Sequence, residues 1–377
     1  MILVIDASNI RAGGGITHLI GLLSGAHPKQ YGFEKIIVWT GKATRARLPS
    51  LEWVEYRHHP FLDKNVVFRI LWQLIHFSHS KHEEGDILFV PGGSYYGRFK
   101  NYVSMLQNLL PFEWREIKRY GISKAAMKLL LLRIVQSFSL KRALGNVFLT
   151  KINKEQFVTQ YKLRDCISIA HGVDNEFKLF PRQQHHHHKY NETNPYRILY
   201  VSTIDVYKNQ LQVIEAVAQL KHEGMPIRLE LVGPYYKPAY DKVMQSIQHH
   251  DPMNTFIHYL KDKSKADLIS LYHNADTFVF ASSCETFGII LLEAMVSGLP
   301  IICADRPTLR ETLGDAGLYF NHESPRHLAS RIKQLFLNTS LRERCALKAY
   351  EKAKEYSWEH CANETYAYLA KIASKID

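Results

Sequence analysis

The sequence predicts a two-domain α/β protein in which each domain is a doubly wound parallel sheet. Three observations carry that expectation: strand-like and helix-like stretches alternate, the alternation stops at a polar segment near the middle of the chain, and it then restarts. The length of 377 residues, 46% of them hydrophobic and 22% charged, is enough for two cores of ordinary size. In the first half, ILVID (2–6), KIIVWT (35–40), DILFV (86–90), YVSML (102–106), NVFLT (146–150) and CISIA (166–170) are short β-branched runs that read as strands. VFRILWQLIHF (67–77) and the stretch from about 115 to 144 have helical spacing. Such alternation favours parallel strands covered by helices on both faces.

RQQHHHHKYNETNP (182–195) has no apolar periodicity and is rich in turn formers, so it reads as a linker. Its four histidines lack further ligands at fixed spacing. Beyond it, RILYVST (197–203), IRLELVG (227–233), TFIHYL (255–260), DTFVFAS (276–282) and PIICA (300–304) restart the strand pattern. The last helical pattern runs from Trp358 to about Ile376. The expected layout is a first domain at 1–180, a linker at 181–195, a second domain at 196–356 and a terminal helix at 357–377 that packs back on the first domain. In this architecture the cleft between domains is the default ligand site.

The composition narrows the function. Cys166, Cys284, Cys303, Cys345 and Cys361 are scattered without a CxxC, which fits free thiols in a reducing cytosol. No charged-then-apolar leader precedes ILVID, and the longest apolar stretch, AAMKLLLLRIV, is broken by Lys128 and Arg133. A net charge of +12 suits an anionic partner. GGGITH is not a G-x-G-x-x-G fingerprint, which argues against a hydride-transfer enzyme.

The most informative stretch is SSCETFGIILLEAMVSGLP (282–300), where two carboxylates interrupt a buried pattern. Glu285 falls in the loop at the carboxyl end of a strand, and Glu293 lies in the middle of a helix that is apolar nearly all round. A carboxylate there is costly without hydrogen-bond donors, and a ribose diol supplies two. The helix start at Phe287, Gly288 and Ile289 is an anion site suited to a diphosphate. The alternative for Glu293 is a surface-facing edge of the helix.

ETFGIILLEAMVSGLPII resembles the Glu-x7-Glu motif of retaining glycosyltransferases of family 4, the group 1 glycosyltransferases, which have the GT-B fold. HGVDNEFKLF (171–180), RILYVSTIDVYKNQLQVIEAVAQL, RETLGDAGLYFN (310–321) and YSWEHCA (356–362) are similar to further segments of that family, in order. The resemblance implies that Glu293 binds the ribose and Glu285 the donor-sugar hydroxyls. It implies that Lys208 pairs with the diphosphate, and that Phe287, Gly288 and Ile289 approach sugar and phosphate. Gly14 and Gly15, in RAGGGITHL, would close backbone amides over the diphosphate. Thr203, Asn108 and His171 complete the expected substrate-binding set. Three departures stand out: Thr203 replaces an arginine, Gln107 and Asn108 stand where a histidine is usual, and Leu260 and Lys261 replace a glycine.

The resemblance further implies transfer from a UDP- or GDP-sugar to a saccharide or lipid-linked saccharide, with retention and with closure of the domains over the donor. No cofactor is expected, and without an Asp-x-Asp motif no metal site is expected either. Residues 113–142 carry eight Lys or Arg against two Glu, interleaved with apolar residues. That pattern fits either a solvated basic helix face or contact with an anionic membrane from its cytoplasmic side. Nucleic acid is not an expected partner. The rival readings are a non-transferase of the same fold and a binding protein with a decayed donor site.

Overall fold

The computed structural model describes residues 1–76 and 86–376, so Phe77 at the end of the first predicted helix lies outside the described residues. The chain divides into two compact units, one of residues 1–117, 121–172 and 356–377, the other of residues 118–120 and 173–355.

The first unit is built on a seven-stranded sheet of β1 (Ile2–Asp6), β2 (Lys35–Trp39), β3 (Val54–Arg57), β4 (Ile87–Val90), β5 (Tyr102–Met105), β6 (Gly145–Phe148) and β7 (Cys166–Ser168). Its order is β3-β2-β1-β4-β5-β6-β7 and its pairings are parallel. The central strands are buried on both faces, with Leu3, Ile5, Leu88, Phe89 and Val103 fully enclosed. The predicted strands are present, and β3, too short and polar to signal itself, is an additional edge strand.

The helical stretch predicted at 115–144 is two helices, Trp114–Arg119 and Lys124–Arg142, separated by a turn. The terminal helix Trp358–Ala373 packs on helix Gly14–Gly25 within the first unit, where Tyr366 donates to the Leu22 carbonyl at 2.8 Å. Gly21 is required there, since a Cβ would collide with the Trp358 ring.

The second unit holds a six-stranded parallel sheet of β8 (Tyr196–Val201), β9 (Ile227–Val232), β10 (Ile257–Tyr259), β11 (Thr277–Phe280), β12 (Ile301–Ala304) and β13 (Leu318–Phe320), in the order β10-β9-β8-β11-β12-β13. The strand order reverses between β8 and β11, which opens a crevice at their carboxyl ends. Segment 182–195 is largely exposed but is tied to the second unit. Tyr190 is buried and donates to Asp276 Oδ1 at 3.0 Å, while Arg182 reaches the same oxygen at 2.9 Å. The buried Asp276 carboxylate needs those donors, a tertiary demand that a composition of polar residues does not display. The five cysteines are free thiols.

Candidate functional site

The loops that leave β8 and β11 converge at the switch point of the second sheet. After β8 the chain forms a short turn, Val206–Lys208, capped by Asp205, and passes through Asn209 at φ 55 into helix Gln210–His222. Asn209 tolerates this left-handed conformation because its side chain is tied down, donating to the Ala281 carbonyl at 2.8 Å. Gln210 binds Ser202 Oγ at 2.9 Å and the Thr203 carbonyl at 3.0 Å, and Ser283 N–H donates to the Tyr207 carbonyl at 2.9 Å. The two loops are thus laced into one platform.

That platform presents Lys208 and Glu285 to each other as a salt bridge. Lys208 is 7% exposed, with Tyr207 and Phe280 rings 4.7 and 5.8 Å from its ammonium. Burial opposes its charge, but the Glu285 carboxylate outweighs that and holds the ammonium above its ordinary pKa. Removing either partner strands the other charge, a loss of about 3–5 kcal/mol for buried pairs.

Eight residues beyond Glu285, Glu293 projects from helix Ile289–Val296. Burial raises its pKa to about 7, against a hydrogen bond from Tyr272 at 2.9 Å to Oε2; nearby Asp174 also raises it and Lys265 lowers it. The Tyr272 ring is fully buried, so one carboxylate oxygen is held at a fixed point. The helix begins at Gly288, φ +92, where an added Cβ would press on Leu309 and Phe280 at 3.3 Å. Only glycine adopts that turn cheaply, and its carbonyl accepts from Leu291 N–H at 2.9 Å to close the first turn. Phe287 is buried below, its carbonyl accepting from Thr312 at 3.3 Å.

The structure thus gathers Lys208, Glu285, Phe287, Gly288, Ile289 and Glu293 around one strand switch. Thr203 is exposed at the mouth of the β8 loop, and its short side chain carries no charge. Arg119, which groups with the second unit, holds the lysine loop instead: it donates to the Val206 carbonyl at 2.8 Å and to Asn209 Oδ1 at 2.7 Å. Lys261, in place of the usual glycine, takes φ 61 and accepts from Gly233 N–H at 2.9 Å. Sequence reasoning missed Tyr272 and Arg119 because neither lies in a motif. A tyrosine one helix upstream of a buried glutamate was the available signal for the first.

The remaining expected residues lie in the first unit. Gly14 and Gly15 open helix Gly14–Gly25, and an added Cβ on Gly15 would stand 3.6 Å from Gln107 Oε1. Gln107, standing where a histidine is usual, bonds His18 Nδ1 at 3.1 Å. Asn108 is exposed, and its side chain accepts from Leu110 N–H at 3.1 Å, capping a turn. His171 is buried, its ring 4.9 Å from His18 and 5.7 Å from Trp358. Burial lowers the pKa of both histidines, that of His18 to about 4, so both are neutral.

Among the described residues, two groups offer metal-type ligand atoms within 4.8 Å of one another, His18 with His171 and Cys361, and His186 with His187 and His188. Burial pushes the Cys361 thiol up to about 12, which makes it a poor ligand at neutral pH, and the second group lies on an irregular surface turn.

Set beside known proteins, residues 182–352, the stretch that holds the switch-point site, match the model of the glycosyl transferases group 1 family. The chain as a whole has the two-domain GT-B fold. It is similar to O-antigen chain mannosyltransferase B of Escherichia coli, 32% identical over 167 residues that make up 44% of each protein. The chain thus spans less than half the length of the curated relatives it matches. Among solved structures, it superposes on HepE of Anabaena in complex with UDP and glucose with a TM-score of 0.69 at 17% identity, covering 97% and 98% of the two chains. With sucrose-phosphate synthase of Thermosynechococcus elongatus the TM-score is 0.74 at 16% identity, over 97% of each chain.

Proposed function

We propose that the protein is a retaining glycosyltransferase that moves a hexose from a UDP- or GDP-sugar to a hydroxyl of a saccharide or lipid-linked saccharide in surface polysaccharide assembly. The observation that carries this reading is the buried Lys208–Glu285 pair at the strand switch, with Glu293 on the helix that follows. Support also comes from the group 1 match and from the mannosyltransferase relative, which makes mannose the first sugar to test.

In this reading the diphosphate replaces Glu285 as the partner of Lys208, and the sugar hydroxyls replace Lys208 as the partners of Glu285, so neither buried charge is left uncompensated. Charge developing on the leaving diphosphate is met by Lys208 and the helix start at Phe287, Gly288 and Ile289. Glu293, steadied by Tyr272, accepts from the ribose hydroxyls. The acceptor attacks from the face that the diphosphate leaves, giving its proton to that phosphate, and Glu285 orients the sugar without acting as a nucleophile. In this reading no metal or other cofactor takes part. Lipid-linked acceptors put the enzyme at the inner face of a membrane, touching anionic lipid through residues 113–142.

The test is a thermal-shift screen against UDP-, GDP-, ADP- and dTDP-sugars, with Glu293→Ala beside the wild type. A rise in melting temperature with one nucleotide sugar, abolished by the substitution, is the expected result. No shift in folded protein would favour the second reading, a GT-B binding protein with a decayed donor site, for which the uncharged Thr203 speaks.

A further inference from the structure

Helix Lys124–Arg142 is apolar on two opposite faces. One face buries Ala126, Leu129 and Leu140 in the first unit, together with Gln136 and Ser139. The other exposes Met127 (60%), Leu131 (60%), Ile134 (67%) and Phe138 (56%). Their spacing of four, three and four residues puts them on one stripe along three turns. Ile122, just ahead of the helix, is fully exposed as well. A continuous apolar row of this kind on a protein surface marks a contact, because scattered exposure would not keep helical register.

The chemistry around the stripe identifies what covers it. At about 100° per residue, Lys124, Lys141 and Arg142 lie within about 60° of the stripe axis, and Lys128 lies on its flank. Lys124, Lys128 and Lys141 are exposed, and Arg142 reaches back with its guanidinium 5.0 Å from the Phe138 ring. No Asp or Glu occurs between residues 117 and 142. A second copy of the chain would bring a like-charged rim against this one. An apolar floor framed by cations at both ends fits a layer that is apolar within and anionic at its surface, with lysine stems lying along the apolar side chains and their ammonium groups turned outward. Among the described residues no helix is long and apolar enough to cross a membrane, so the contact is with a surface.

We propose that this face of helix Lys124–Arg142 lies flat on an anionic lipid bilayer, with Met127, Leu131, Ile134 and Phe138 at the acyl boundary and Lys124, Lys128 and Lys141 among the headgroup phosphates. The proposal deepens the reading of a membrane-side enzyme and rests on it for its purpose, but its test needs neither donor nor acceptor. The full chain is floated with phosphatidylcholine vesicles, with and without phosphatidylglycerol, beside Ile134→Ser/Phe138→Ser and Lys124→Gln/Lys128→Gln/Lys141→Gln variants. All five positions are exposed, so melting temperatures should match the wild type and donor-induced thermal shifts should persist. The expected result is wild-type binding to the anionic vesicles only, weakened by salt and reduced at least tenfold in each variant, the equivalent of about 1.4 kcal/mol. Equal binding to neutral vesicles, no binding to either, or variants that float like the wild type would overturn it. So would a lipid-free dimer that the serine variant converts to monomer, which would make a second copy the occupant. Loss of flotation with intact donor shifts, or the reverse, separates failure of this contact from failure of the donor site.

Discussion

The carboxyl ends of β1 and β8 occupy equivalent places, each beside the strand at which its sheet reverses order, yet they carry different chemistry. Beyond β8 and its neighbour β11 stand a buried lysine and two glutamates. Beyond β1 and its neighbour β4 the structure keeps its groups neutral or internally satisfied: His18 and His171 are uncharged, and burial raises the pKa of Asp6, which is bonded by Ser8 N–H at 2.9 Å and Gln73 at 2.5 Å. One topology thus carries a buried charge pair at one switch point and uncharged, buried histidines at the other. The difference teaches that the switch point supplies a place, while the charges buried there decide its chemistry.

That contrast can be broken most forcefully at Lys208. Lys208→Ala should lower kcat/KM at least about a hundredfold, the usual loss when one stabilising donor is removed from a developing anion, and should lower the melting temperature because Glu285 is left alone. Steady-state kinetics and a thermal melt check both. Lys208→Ala/Glu285→Gln should recover much of the stability and none of the activity. Equal recovery of both would mean that the pair is structural.

Gly288→Ala is the next largest. A side chain at φ +92, pressed against Leu309 and Phe280, should cost about 1–3 kcal/mol of stability, read by denaturant titration, and should weaken donor binding.

Tyr272→Phe sharpens the comparison through pH. In the proposed reading Glu293 takes the ribose hydroxyls as the carboxylate, and its pKa is raised to about 7, so wild-type donor affinity should rise as pH passes upward through that value. Removing the tyrosine hydroxyl takes away the bond that favours the ionised form, moving the midpoint higher. Donor KM should therefore rise severalfold at neutral pH and recover in alkali, with kcat little changed. A KM defect independent of pH would give Tyr272 a packing role only. The sign for stability is the opposite: the raised pKa makes the unliganded fold bind more protons than the unfolded chain between about 4.5 and 7, so stability from this group is lost as pH rises through that window. Glu293→Gln should flatten that part of the profile.

Gln107→Ala, in the first unit, should have the smallest effect, a few-fold change in kcat/KM, because the side chain is neutral and bonds His18. A loss as large as that of Lys208→Ala would erase the contrast between the two switch points.

Much of this was legible in the residues. Buried parallel strands advertise themselves as β-branched runs, so β1, β8 and β11 needed no structure to be seen, whereas β3 and β13, short edge strands, lack that signature. Glu285 and Glu293 were visible because a carboxylate within an apolar pattern is expensive. Their partners were not, since Tyr272 and Lys208 meet them only after the chain has folded back over 21 and 77 positions.

The stripe on helix Lys124–Arg142 divides in the same way. The basic, acid-free run could be read from the chain, but residues 126 and 140 and residues 127 and 138 are alike in hydropathy, and only packing against the first unit decides which row is core and which is surface. Sequence alone determined the two doubly wound domains, the Glu-x7-Glu spacing and the cationic character, because hydrophobic period and charge are local properties of the chain. The tertiary structure decided which charge neutralises which, where the glutamate is held by a tyrosine and which apolar face stays uncovered, because each depends on atoms brought together from distant positions.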